Sequence, residues 1–235
     1  MATPARSRST RDRPAKAPLG EDVILDVAMR ILRDEGLEAV TMRRLAAELD
    51  TGPASLYVYI SGRDELNDAL LDRVAGLITL EEPDPARWRE QVHALMGGIL
   101  TSMESHPGIA TVAMANPPTG ERTLLVADNL IGLLRAGEID EQDAAWACDI
   151  LPLITTALAV ESAIYRQRGE AGMTETEVIE RLDRTISALS PARFPNITAL
   201  GDKMTSGDGE QRFHFSIDVV LDGLVARAAR AGQPG

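Results

Sequence analysis

The 235-residue chain is expected to be all-α, with an N-terminal three-helix domain containing a helix-turn-helix and a larger C-terminal helical domain. Three observations carry that expectation. Hydrophobic residues make up 44% of the chain but aromatics only 3%, which suits helices packed through Ala, Leu, Ile and Val. Apolar residues recur three and four apart along nearly the whole length, and beyond the N-terminal region nothing reads as a strand. Charge is unevenly divided: residues 1–64 carry ten Lys plus Arg against ten Asp plus Glu, whereas residues 65–235 carry fourteen against twenty-six and hence the whole net charge of -12. Only the N-terminal quarter is suited to meeting phosphate.

Residues 1–19 form a basic arm, expected to be disordered, with Arg6, Arg8, Arg11, Arg13 and Lys16. The first helix begins at Glu21, places Ile24, Val27, Ala28, Ile31 and Leu32 on one face, and ends at Gly36. Thr41 is placed to cap a second helix that buries Leu45, Ala46 and Leu49. Asp50, Thr51 and Gly52 break it. Pro53 suits the first turn of a short third helix with Leu56 and Ile60 inward, leaving Ser55, Tyr57, Val58 and Tyr59 on or near the other side. A fourth helix is expected from about Arg63 to Leu80, with Leu66, Leu70, Val74 and Leu77 on one stripe, before a break from Glu81 to Pro85.

The first domain is thus expected over residues 20–65 and the second over 66–235, with helices near 86–106, 107–115, 119–136, 140–169, 174–189 and 210–230. The helix from about Asp140 is apolar nearly all round through Trp146, Ile150, Leu151, Leu153, Ile154, Leu158 and Val160, which places it in the core or between subunits. The last helix carries Phe213, Ile217, Val220, Leu221, Leu224 and Val225 on a broad stripe. Between them, Ser190–Glu210 is rich in Pro, Gly, Asp and Ser and is expected to be a mobile connector.

Several function classes find no support. The single cysteine, Cys148, forms no intrachain disulfide, and no cysteine pair exists to hold zinc, so a reducing cytoplasm is expected. No apolar region follows the N-terminal arginines, so no secretory signal is read there. The near-apolar run from Ile150 to Val160 contains Pro152 and is too short to span a bilayer, so no membrane partner is expected. The chain has no glycine-rich phosphate loop, no nucleophile elbow and no carboxylate or histidine cluster at metal-ligand spacing, so neither enzyme, metal nor cofactor is expected. His93, His106 and His214 lie far apart in sequence and read as packing or surface residues.

Three short helices, the last two joined by a tight turn, place outward side chains of the third where they enter a major groove while the second crosses the backbone. The stretch TMRRLAAELDTGPASLYVYISGRDELNDALLD, from Thr41 to Asp72, resembles the tetracycline-repressor family. FHFSIDVVLDGLVAR, from Phe213 to Arg227, is similar to the final dimerisation helix of the branch containing the tetracycline repressor itself, so the resemblance spans roughly residues 20 to 230. It implies a homodimeric transcriptional repressor that a small-molecule effector releases from double-stranded operator DNA. It implies DNA contacts by Thr41 and Arg43, the latter able to reach a guanine edge, by Ser55, Tyr57, Val58 and Tyr59, and by Arg63 on phosphate at the start of the fourth helix. The alternative is an ordinary bundle in which Tyr57 and Tyr59 are packing residues and the arginines are solvated. For the basic arm, a solvated tail and minor-groove insertion stand equally.

The two histidines that hold drug and magnesium in tetracycline repressors correspond here to Thr79 and Ala113, so the resemblance does not extend to that ligand. An effector pocket is expected among the central helices, lined by Met96, Leu100, Met103, Met114, Leu130, Leu134 and Trp146, though such spacing also describes plain core. The dimer interface is expected at Ile150, Ile154, Ile217, Val220, Leu221 and Leu224. A second possibility is a DNA-binding regulator without a small-molecule ligand, controlled by a protein partner or by its own concentration. A compact core without a cavity would favour it.

Overall fold

The computed structural model describes residues 18–170 and 175–231; the arm carrying Arg6, Arg8, Arg11, Arg13 and Lys16 lies outside the described residues. Among the described residues the chain is built from α-helices and one 3-10 turn, with no strand. The head comprises α1 (Glu21–Glu35), the turn Leu37–Ala39, α2 (Met42–Glu48) and α3 (Pro53–Leu56). Gly36, at φ +84, ends α1, in a left-handed conformation that costs glycine little. The Thr41 hydroxyl accepts a 3.1 Å bond from the Arg44 amide and caps α2, as its position before an apolar-periodic run requires. Pro53 opens α3, which runs only to Leu56 before the chain turns through Tyr57–Tyr59. Ile24, Ala28, Ile31, Leu32, Leu45, Leu56 and Ile60 are fully or almost fully buried and lock these pieces together.

Helix α4 (Arg63–Ala75) ends well before Leu80. The Arg122 side chain occupies the space a Cβ at Gly76 would need, so the chain leaves the helix where another element packs flush against it. Leu77 is consequently exposed rather than part of the helix stripe, while Ile78 is half-buried. There follow α5 (Trp88–Glu104), α6 (Ile109–Ala115), α7 (Glu121–Ala136), α8 (Glu141–Glu170), α9 (Glu175–Ser187), α10 (Pro195–Met204) and α11 (Gly209–Ala231). Helix α10 lies within Ser190–Glu210, the stretch read as a mobile connector with no helix of its own. Pro195 starts that helix at its first turn, where a missing N–H costs nothing, and Gly201 lets it lie close to the buried Ile186 of α9.

Two hydrophobic cores result. One holds the head, most of α4, and Ile109 and Val112 of α6. The other holds the inward faces of α5, α7, α8 and α11, together with Ala75 at the end of α4. Helix α4 therefore belongs to both. The head is also joined to α6 directly: the Leu37 amide donates to the Pro107 carbonyl at 2.9 Å, and Gly108, at φ +94, sits against Leu37. Facing acidic groups pin the outer helices, with Arg227 of α11 making two 2.8 Å bonds to Asp143 of α8.

The dimer expectation needs correcting at the residue level. Ile217, Leu221 and Leu224 are buried inside the protomer's own second core, because the stripe they form packs on α5 and α8. Val220 and Ile154 are half-buried and Ile150 is exposed. The outward face of α11 instead presents Phe215 and Val219, which are 68% and 54% exposed. Over Glu141–Gln167, α8 is long and apolar enough to cross a membrane by length and composition alone, a longer stretch than Ile150–Val160. One side of it packs on α5, α6, α7 and α11, and the other leaves Trp146, Ile150, Leu153 and Ile164 exposed.

Candidate DNA-reading head and ligand cavity

The inward packing of Leu56 and Ile60 turns the intervening residues outward: Tyr57, Val58 and Tyr59 are 52%, 78% and 38% exposed. Ser55 is exposed beside them. These three side chains form an exposed face of the kind a helix-turn-helix offers to base edges and thymine methyl groups. Charge is arranged to match. Arg30 pairs with Glu48 at 2.7 Å, and Arg44 pairs with Glu35 at 2.9 Å and Glu48 at 3.1 Å. Among the described residues the exposed guanidinium of Arg43 has no such partner and is free to meet DNA. Thr41 has already accepted from Arg44, which leaves its hydroxyl proton available to a phosphate oxygen.

Arg63, also exposed, has partners within the head. Its guanidinium donates to the carbonyls of Val40, at 2.9 Å, and Leu37, at 3.3 Å. These carbonyls sit at the edge of the 3-10 turn, and the guanidinium supplies donors to them, so Arg63 braces α4 against the turn at the surface.

A cavity of about 200 Å³ lies where the two cores meet. Its walls are Leu71, Val74 and Ala75 of α4, Ile78, and residues of α5, α6, α7 and α8. Of the residues expected there, Met103, Met114 and Leu130 line it. Met96 and Leu134 are buried core, Leu100 lines a separate groove beside α9 and α11, and Trp146 is exposed on the outer side of α8. Of the positions matching the tetracycline-repressor histidines, Ala113 lines the cavity and Thr79 is exposed.

The polar lining was not anticipated. Ser102, Asn116, Thr123, Cys148, Asp149 and Thr156 all line this space, and among the described residues Asp149 is the only charged one in the lining. Burial, assisted by the negative charge of Asp149, pushes the Cys148 thiol up. One signal was available: Cys148, Asp149, Pro152, Leu153 and Thr156 follow helical spacing, and a carboxylate in so apolar a helix marks a polar requirement.

The cavity is tied to α4 by Asp72. Helix α7 starts after Gly120, which has no side chain to cap it, and the Asp72 carboxylate takes that role across space. It accepts from the backbone amides of Arg122 at 2.8 Å and Thr123 at 3.0 Å, from the Thr123 hydroxyl at 3.0 Å, and from the Arg122 guanidinium at 3.2 Å. Burial pushes the Asp72 carboxyl up, but the bonds from Thr123 and Arg122 outweigh it and hold its pKa below the ordinary value. One turn earlier, Asp68 accepts from the Asn116 amide at 2.9 Å. Both bonded partners, Thr123 and Asn116, line the cavity.

The fold also brings together two histidines that are distant in sequence. His93 of α5 bonds Asp218 at 2.9 Å and lies 3.1 Å from the His214 ring nitrogen, so they join α5 to α11. Among the described residues no group of three or more His, Cys, Asp or Glu is placed to hold a metal ion.

Residues 24–70 match the model of bacterial regulatory proteins of the tetR family, and residues 82–228 match the tetracyclin repressor-like C-terminal domain. The chain belongs to the TetR family. It is a DNA-binding transcriptional regulator. The HTH-type transcriptional repressor DrrR1 of Streptomyces coeruleorubidus is 30% identical over 234 residues, covering 95% of this chain and 85% of that protein. Apo ActR from Streptomyces coelicolor superimposes with a TM-score of 0.84 at 34% identity, over 93% of this chain and 100% of ActR. ActR in complex with actinorhodin gives 0.83 at 35% identity, over 92% and 100%. These TetR-family relatives match both the head and the helical domain, so the two belong to one regulator architecture.

Proposed function

We propose that this regulator is a homodimeric repressor that a small molecule releases from its operator by entering the cavity between the two cores. The observation that carries the proposal is the cavity's wall: Leu71, Val74 and Ala75 belong to the same helix whose first residue, Arg63, braces the reading head. An occupant that separates α4 from α7 or α8 moves the head with it. In the absence of a cavity, control by a protein partner would be the better reading; the cavity supports a ligand. ActR, of the same family, has been solved with actinorhodin.

Thr41, Arg43, Ser55, Tyr57, Val58 and Tyr59 are the proposed DNA contacts, on a head covering residues 20–65. The second subunit is proposed to dock on the outer faces of α8 and α11, through Ile150, Leu153, Phe215 and Val219. A two-fold dimer reads two half-sites only when its recognition elements lie about 34 to 36 Å apart, so a small rotation at each head spoils the fit. To lower operator affinity about a hundredfold, the effector must bind the DNA-free conformation roughly 3 kcal/mol more tightly than the DNA-bound one. Coupling passes through Leu71, Val74 and Ile78, not through the exposed Leu77. The test is a mobility-shift titration of the DNA flanking the protein's own coding region, with and without actinorhodin as the first probe. Release of bound DNA is the expected result. Binding of actinorhodin that leaves the shifted complex unchanged would contradict the proposal.

A further inference from the structure

The charge of the cavity lining is one-sided, while its neutral polar groups are mixed. One Asn116 N–H goes to Asp68, leaving the second N–H and the amide oxygen, and the Ser102 and Thr156 hydroxyls can donate as well as accept. The Thr123 hydroxyl directs its single proton to Asp72 or to the Gly120 carbonyl, so toward a ligand it offers only lone pairs. The Cys148 thiol is turned to the Ala127 carbonyl at 3.6 Å. Pro152 has no N–H, so the Cys148 carbonyl four residues earlier lacks its usual helical donor, and both residues line the cavity. Asp149, an exposed residue at the rim, adds a carboxylate that makes no ion pair among the described residues, and none of the described Lys, Arg or His residues belongs to the lining. The guanidinium of Arg122, next to Thr123, is engaged by Asp72.

We infer that the cavity selects an apolar, ring-based molecule carrying a protonated amine, with Asp149 as the residue that reads the positive charge. This deepens the proposed function and rests on the cavity being the effector site. The apolar walls, Leu71, Val74, Ile99, Met103, Val126 and Leu130, supply non-directional affinity to any flat hydrocarbon of suitable size. The Asp149 carboxylate then discriminates. An amine brings it an opposite charge, an alcohol a neutral donor, and a carboxylate a like charge. The field of the helical domain acts in the same sense, since residues 65–235 carry the whole net charge of -12.

The experiment uses three fluorescent probes of one shape: anthracenylmethylamine, anthracenylmethanol and anthracenecarboxylate, titrated into the full-length protein. The amine should bind about fivefold more tightly than the alcohol, the gain expected of a partly exposed ion pair, and the carboxylate most weakly. Asp149→Asn should bring amine and alcohol within about twofold of each other while preserving alcohol binding, and added salt should shrink the amine's advantage in the wild type. Ala127→Trp, which fills the cavity, should abolish binding of all three. Carboxylate binding equal to or tighter than amine binding, or an unchanged order in Asp149→Asn, would overturn the charge assignment but leave the cavity as effector site. Failure of all three probes to bind, or undiminished binding to Ala127→Trp, would overturn both.

Discussion

Arg43 and Arg63 flank the same reading surface and are used in opposite ways. Arg43 is exposed and without a partner among the described residues, so Arg43→Ala should remove a base contact worth about 1 to 3 kcal/mol of discrimination and relax preference at one base pair. Affinity measured on the operator and on single-base variants checks this; equal weakening on every sequence would assign Arg43 to phosphate. Arg63 spends its guanidinium on the Val40 and Leu37 carbonyls. Its replacement by Ala should lower stability by about 1 to 3 kcal/mol in a urea titration, since two backbone acceptors lose a charged donor. The Thr41 cap and the outward Tyr57, Val58 and Tyr59 were legible in the sequence because each follows from spacing within one short segment. The bonds Arg63 makes were not, because its acceptors come from a turn 23 and 26 residues away.

At the level of elements, the joint between α4 and α7 depends on one carboxylate. Asp72→Asn keeps the shape but removes the charge that four donors share, so the variant should be less stable than wild type at neutral pH. The sign with pH follows from the lowered pKa of Asp72: its contribution is present above the unfolded carboxyl value and is lost as pH falls through the folded one. Unfolding curves for the two proteins should therefore converge in acid, and a difference that persists there would point to a purely steric defect. The junction between head and α6 has its own test. Gly108→Ala places a Cβ 2.6 Å from the Leu37 side chain at a positive φ, and it should cost more than the about 1 kcal/mol typical of helix-interior glycine exchanges. Most helices could be read from periodicity, but the end of α4 and the whole of α10 could not. Gly76 stops one because Arg122 packs there, and Pro195 with Gly201 read as breakers although one starts α10 and the other lets it approach Ile186.

For the whole molecule, periodicity identified α8 and α11 as helices with apolar surface to cover, yet could not say which side faces the protomer's core. Burial decides it: Leu221 is interior and Phe215 is not. Phe215→Asp combined with Val219→Asp should shift the protein toward monomer in sedimentation with its helical signal intact, whereas Leu221→Asp should unfold it by burying an unpaired charge. A dimer undisturbed by the double substitution would move the seam elsewhere. The central claim is that cavity and operator compete through α4, and linkage makes that claim quantitative, because two coupled sites must weaken each other by the same factor. The direct measurement is the affinity of an effector that occupies the cavity for the protein alone and for the protein saturated with operator DNA. The account predicts that operator DNA lowers the effector's affinity by the factor by which the effector lowers the affinity of DNA; equal affinity for both forms of the protein would contradict it.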